Sequence, residues 1–179
     1  EFYYWFRIKK EAQIIIKEKG YEDGIEFISS KLNKISDPNL KMVFDTANFY
    51  KNSKKFEKAI DYYTQIISSL HDESEIKSDL LYRRGGSYER LGNYKKSDED
   101  LLHSLKINPD DAYVLNYLAY SWLERDYKID EAFKMLEKAY ASKSNDPYII
   151  DSIGWAYYLI DNYAEAEKYL KRAVELMPE

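Results

Sequence analysis

The side chains able to do chemistry in this chain are few, and their spacing does not suit catalysis. There are two histidines, His71 and His103, and no cysteine, which removes thiolate nucleophiles, disulfides and cysteine metal sites. His71 falls in a polar joint and His103 on a helical stretch, with no spacing that would let them share a metal. The glycines of "RRGGSYERLG" (83–92) lack the lysine and hydroxyl of a phosphate loop. "SDED" (97–100) gathers carboxylates, but a calcium cage needs a bent loop, so this run is expected to face solvent from a helix. No serine sits in a nucleophile-elbow motif. The expectation is a chain that is not an enzyme and uses no cofactor and no metal.

What the chain does offer is aromatic surface, with 19 tyrosines and 3 tryptophans set among mixed charges. Its net charge is -5, and lysines and arginines alternate with acids, so no basic stripe is available to track phosphates and no nucleic-acid partner is expected. Recognition of RNA by helical repeats meets the same acidic balance. The most apolar run, "YIIDSIGWAYYLI" (148–160), is too short to cross a bilayer and carries Asp151, so direct membrane insertion by these residues is not expected. The chain begins at Glu1 and ends at Pro178 and Glu179 just after a helix pair. A longer parent protein is therefore expected, with any signal peptide, lipid attachment site or further domain outside these residues.

The elements that carry these aromatics are found by looking for a period. Stepping back from Gly154 gives Ala119, Gly85, Ala47 and Ala12 at intervals of 35, 34, 38 and 35 residues, all of them small. Stepping back from Ala166 gives Ala132, Ser97, Ala59 and Gly24, a second small ladder in register with the first. Small residues at two fixed points of a repeat let two helices cross closely, because a longer side chain would push the axes apart. Ile15, Tyr50, Tyr88, Trp122 and Tyr157 follow the first ladder, and Tyr21, Phe56, Tyr94, Ile129 and Tyr163 precede the second. These large residues, including Tyr88, Tyr94, Tyr157 and Tyr163, are expected to fill the space that the small ones leave. A short polar break between the ladders, such as "LGNYKKS" or "IDNYAEA", predicts a turn between two antiparallel helices. Pro38, Pro109, Pro147 and Pro178 all fall between repeats, and Asp110 and Asp111 supply capping carboxylates for the helix that follows. The joint without a proline, "SSLHDESEIKS" (68–78), carries the longer spacing.

These residues carry a family resemblance. A helical hairpin of this length, with small residues at two fixed positions, aromatics beside them and a closing proline, resembles the tetratricopeptide repeat (TPR). "SIGWAYYLIDNYAEAEKYLKRAVELMP" (152–178) matches that pattern almost throughout. The third repeat has Ser97 and Ser104 for alanines, the fourth has one extra turn residue, and the second lacks the turn glycine. The first, with Gly24 and Lys31 at alanine positions, departs most. The resemblance implies an all-α fold, a right-handed α-α superhelix of about five helical hairpins. It spans 1–179 as one solenoid, with repeats near 5–39, 40–77, 78–111, 112–146 and 147–179. A looser likeness, in "LNYLAYSW" and "DPYIIDSIGWAYY", is to the last part of larger bacterial TPR proteins. Some of those are envelope lipoproteins that act as adaptors for a processing protease, which implies an assembly role in the periplasm.

In this family the first helix of each pair lines the concave side. Its second, fifth, ninth and twelfth positions are Lys9 and Gln13, then Lys41, Phe44, Asn48 and Lys51, then Asp79, Tyr82, Gly86 and Glu89 with Arg83 nearby. Next come Tyr113, Asn116, Tyr120 and Leu123, then Tyr148, Asp151, Trp155 and Tyr158. A peptide-binding groove is expected to use Asn48, Tyr82, Arg83, Tyr113, Asn116, Tyr120, Asp151 and Trp155, since Tyr and Trp give large contact area at low entropic cost. TPR domains that grip chaperone tails clamp a C-terminal carboxylate with lysine, asparagine and arginine. The corresponding residues here are Lys9, Gln13, Asp45, Asp79 and Arg83, and two aspartates would repel that ligand. The partner expected is thus a protein or peptide of another kind. The competing expectation is a scaffold that self-associates into a homo-oligomer through its terminal repeats, because Tyr169, Leu170, Val174 and Met177 have no following repeat to cover them.

Overall fold

A computed structural model describes residues 2–177; Pro178, expected to close the last repeat, lies outside them. Among the described residues there are ten helices and no strand. They run in pairs: α1 (Phe2–Lys19) with α2 (Tyr21–Leu32), α3 (Leu40–Asn52) with α4 (Phe56–Ser69), α5 (Glu75–Arg90) with α6 (Tyr94–Ile107), α7 (Ala112–Glu124) with α8 (Ile129–Ser142), and α9 (Pro147–Leu159) with α10 (Tyr163–Leu176). The helices start where the sequence supplies caps. Asp111 Oδ1 accepts from the backbone N–H of Tyr113 and Val114, and Asp146 Oδ1 from those of Tyr148 and Ile149, with Pro147 opening α9. Asn39 and Ser74 cap α3 and α5 in the same way.

The chain forms two compact units, Glu1–Asp100 and Leu101–Glu179, with the boundary inside α6. In the first, Trp5, Ile8, Ala12, Ile28, Leu32 and Met42 form one core cluster and Val43, Ala47, Ala59, Tyr63, Ile66 and Leu80 another. In the second, Leu118, Leu136, Ile149, Ile150 and Ile153 are buried. Each fully buried aliphatic side chain of this size contributes about 1.5–3 kcal/mol.

Both small-residue ladders are buried throughout, in α1 to α10. The steric reason is visible at Gly154, where a Cβ would lie 2.8 Å from Leu170 Cγ and 3.2 Å from the Leu170 backbone nitrogen. In the first unit, a Cβ on Gly24 would lie 3.1 Å from the Ala12 carbonyl oxygen, one ladder meeting the other.

Four expectations are corrected. Tyr21, Tyr94 and Tyr163, expected to pack, are 50%, 42% and 56% exposed; each sits at the first residue of its helix. Leu123, counted on the concave side, is buried. Tyr169 is covered within the last pairs, stacked on Tyr157 at 5.5 Å and edge-on to Tyr140 at 5.8 Å. The "SDED" run does not all face solvent: Ser97 is fully buried, and Asp100 is turned inward onto Arg84, whose Nε and Nη2 each donate to it at 2.7 Å.

The second, third and fifth turns share one backbone device. Five positions residue by residue before the second ladder stand Lys54, Gly92 and Asp161, with φ of 62°, 72° and 60°. The fourth turn, which has one extra residue, places both Asp126 and Lys128 in this left-handed region. A side chain there costs about 1–2 kcal/mol relative to glycine, partly offset by glycine's greater freedom when unfolded. Lys54→Gly, which gives the second turn the residue of the third, is therefore expected to stabilise the protein by about 0.5–1 kcal/mol, read as a rise of roughly 2 °C in Tm.

Candidate protein-binding site

The expected groove residues divide between the two units. In the first, Asn48 of α3 and Arg83 of α5 are brought together across 35 residues of sequence. Asn48 Oδ1 accepts from the Tyr63 hydroxyl at 2.7 Å and from Arg83 Nη1 at 3.4 Å. Arg83 Nε donates to Asp79 Oδ2 at 2.8 Å, and its guanidinium lies 5.1 Å from the Phe44 ring centroid. Burial pushes the Tyr63 hydroxyl up, so it stays protonated and keeps donating to Asn48. Lys51 is pushed down, first by burial and then by the neighbouring Arg83 charge. Tyr82 is half-buried on the same helix.

The cations at the positions of a carboxylate clamp are paired within this unit. Lys9 Nζ lies 3.0 Å from Asp45 Oδ2, and the same carboxylate oxygen accepts from Trp5 Nε1 at 3.0 Å. Each clamp-position cation, Lys9 and Arg83, already faces an aspartate of its own unit.

The second unit presents a different surface. Tyr113, Asn116 and Tyr120 fall on one face of α7, and Tyr148, Asp151, Trp155 and Tyr158 on one face of α9, which packs against α7. Tyr113, Tyr120, Tyr148 and Tyr158 are exposed, while Asn116, Asp151 and Trp155 are half-buried. The Trp155 and Tyr158 rings stack at 5.3 Å with 13° between their planes. The Tyr120 hydroxyl is hydrogen-bonded to Glu124 and lies within the field of Asp151; burial first, then these two carboxylates, push it up.

Three polar groups on this face have no mate. Asn116 Oδ1 and Trp155 Nε1 are buried without a hydrogen-bond partner among the described residues, and neither a hydrogen bond nor an ion pair reaches Asp151 there. Burial alone pushes the Asp151 carboxyl above the usual range. Since the folded chain holds this proton more tightly than the unfolded chain, ionised Asp151 subtracts from stability at neutral pH. That loss is relieved as pH falls through the raised folded pKa, and the relief is complete once pH is below the ordinary carboxylate value of 3.8.

Against known proteins, two family profiles, each described as "Tetratricopeptide repeat", match residues 42–69 and 78–111, and residues 147–179, together more than half of the chain. The chain belongs to the tetratricopeptide repeat family. A TPR repeat-containing protein of Pseudomonas aeruginosa is 24% identical over 170 residues, covering 95% of this chain and 28% of the relative. One of Methanocaldococcus jannaschii is 32% identical over 121 residues, covering 68% of this chain and 20% of the relative. The chain thus spans about a quarter or less of the length of these curated relatives. Among solved structures, BtubC (BKLC) from P. vanneervenii superposes with a TM-score of 0.77 at 17% identity, covering 94% of this chain and 78% of that one. MamA from Desulfovibrio magneticus gives 0.73 at 13%, covering 96% and 94%. The nearly identical TPR-like repeats of a Podosopora anserina chain give 0.73 at 14%, covering 95% and 93%. These likenesses carry the fold, an all-α TPR solenoid of helical hairpins.

The TPR fold is one of protein–protein interaction or scaffolding, and among the described residues no helix is long and apolar enough to cross a membrane. One feature escaped the sequence reading. An apolar cleft of about 480 Å³ opens in the first unit between Leu40, Phe44, Ile66, Leu70, Ile76 and Leu80. Its signal is present in the sequence, since the joint with the longer spacing carries Leu70 and Ile76.

Proposed function

We propose that this chain is a non-catalytic protein-interaction module, in an adaptor or assembly role, whose α7/α9 face holds a segment of a partner polypeptide. Its repeats, with the bounds 5–39, 40–77, 78–111, 112–146 and 147–179, act as one binding solenoid. The observation that carries the reading is the coincidence on one face of exposed tyrosines with an unmated donor, Trp155 Nε1, and an unmated acceptor, Asn116 Oδ1. An extended polypeptide offers a backbone N–H and C=O at every residue and so complements both at once. Tyrosine side chains beside them add contact area with little rotamer entropy to lose. Asn48, Tyr82 and Arg83 form the corresponding face of the first unit, where Asn48 and Arg83 are partly committed to each other.

A photo-crosslinking residue placed at Tyr113 or Tyr120 is expected to capture a partner protein in a lysate of the source organism. One at Lys134, exposed on α8, is expected not to. Equal capture from Lys134 would contradict the assignment.

A second reading has its own observation. Tyr158, Tyr163, Leu170 and Val174 line an open groove of about 740 Å³ on the last hairpin, and Val174 is 72% exposed. Such a face suits self-association of a scaffold. A crosslinker at Val174 that joins two copies of the chain is the result this reading expects.

A further inference from the structure

The helices that build the α7/α9 face differ in charge from the other first helices. Neither "AYVLNYLAYSWLE" nor "PYIIDSIGWAYYL" contains a lysine or arginine, whereas α1, α3 and α5 carry five, two and four. The two charged side chains of α7 and α9 are both acids, Glu124 and Asp151. Asp111 and Asp146, just before them, are spent on capping backbone N–H groups. Lys143 Nζ, beside this face, lies 5.7 Å from the Tyr113 centroid, over a ring rather than a carboxylate.

Glu124 already accepts from Tyr120 and is exposed, so water satisfies what remains. Asp151 is different. It is half-buried, has no hydrogen-bond donor among the described residues, and lies close enough to Tyr120 to act on its hydroxyl, with the stacked Trp155 and Tyr158 rings one and two turns further along α9. Asn116 Oδ1 adds a second acceptor without a donor.

We propose that this face selects a basic polypeptide segment, with one arginine or lysine side chain of the partner set against Asp151 between the rings of Tyr120 and Trp155. The inference rests on the groove reading above and gives its partner a chemistry. Arginine and lysine are the donor-only side chains that also carry a full positive charge, so they complement a site whose unmated side-chain oxygens only accept and whose charges are acidic. Their cations also gain from aromatic faces, most of all that of tryptophan. An acidic segment would meet two carboxylates, and an apolar one would leave Asp151 buried and still unpaired. The unmated Trp155 Nε1 then serves the backbone C=O of the same segment.

The test is selection of a library of random 12-residue displayed peptides on the wild-type chain. Synthetic copies of the winners are then titrated against wild type, Asp151→Asn, Asp151→Lys and Trp155→Ala. Winners are expected to share a basic residue at one position. Changing it to glutamine should weaken binding to wild type at least tenfold but change binding to Asp151→Asn less than twofold. Changing it to glutamate should restore binding to Asp151→Lys. Because Asp151 has no intramolecular partner to lose, Asp151→Asn is expected to keep the helicity of wild type and to melt no lower. Winners that need Trp155 but carry no shared basic residue, or that bind Asp151→Asn as tightly as wild type, would overturn this inference and leave the groove reading standing. An absence of winners that depend on Trp155 would overturn both.

Discussion

Asp100→Ala is expected to destabilise the protein by about 3–5 kcal/mol, a large loss for one side chain, because it strands a buried guanidinium. Arg84 and Asp100 meet in a two-pronged pair with both distances at 2.7 Å, and Arg84 Nη1 also donates to Thr64 Oγ1 at 3.0 Å. The side chains are only 16% and 9% exposed, so water replaces the missing carboxylate poorly. Burial on its own would lower the Arg84 pKa, yet the hydrogen bond and charge of Asp100 more than reverse this and raise it. The pair joins α4, α5 and α6 at one point, which ties the long joint after α4 to the third hairpin. Denaturant midpoints check this. The double change Arg84→Met with Asp100→Leu removes both charges and is expected to recover most of the loss, since an apolar pair of similar volume can equal a buried ion pair. A double variant as unstable as Asp100→Ala would mean that packing around the pair, not charge, sets its value.

The second large effect concerns binding. Trp155→Ala is expected to weaken partner affinity by roughly 30-fold or more, about 2 kcal/mol, the range in which a central tryptophan falls when truncated. The change also removes the ring that stacks on Tyr158, so helicity and Tm have to be compared. Trp155→Phe separates the contributions. It keeps an aromatic ring and deletes the N–H, and it is expected to lose about 1 kcal/mol, or some fivefold, the net value of one hydrogen bond. Isothermal titration with the crosslinked partner provides both numbers.

The fold was legible because helix crossing is a periodic steric demand. Ala12, Ala47, Gly85, Ala119 and Gly154 recur because each is buried where a small residue is needed, and at Gly154 an added Cβ would lie 2.8 Å from Leu170 Cγ. Period alone does not say where coverage stops. Tyr94 and Tyr163 share the ladder register of Phe56 yet stand open, and Leu123, in the register of the groove, is covered. Asp100 was misplaced for a related reason: its partner Arg84 lies 16 residues away, and nothing in "SDED" announces a guanidinium beneath it. In the candidate site, side-chain types and their helix face were legible. The commitment of Asn48 to Tyr63 and Arg83, and the lack of a partner for Asp151, depend on which helices meet in space.

The proposed partner surface is the α7/α9 face. Its most direct test is the dissociation constant of the crosslinked partner for wild type beside a Tyr113/Asn116/Trp155 triple-alanine variant of matched helicity. Removing two aromatic anchors and an amide together is expected to cost at least 100-fold, about 3 kcal/mol. Equal affinity in the two proteins would contradict it and move the binding surface elsewhere on the chain.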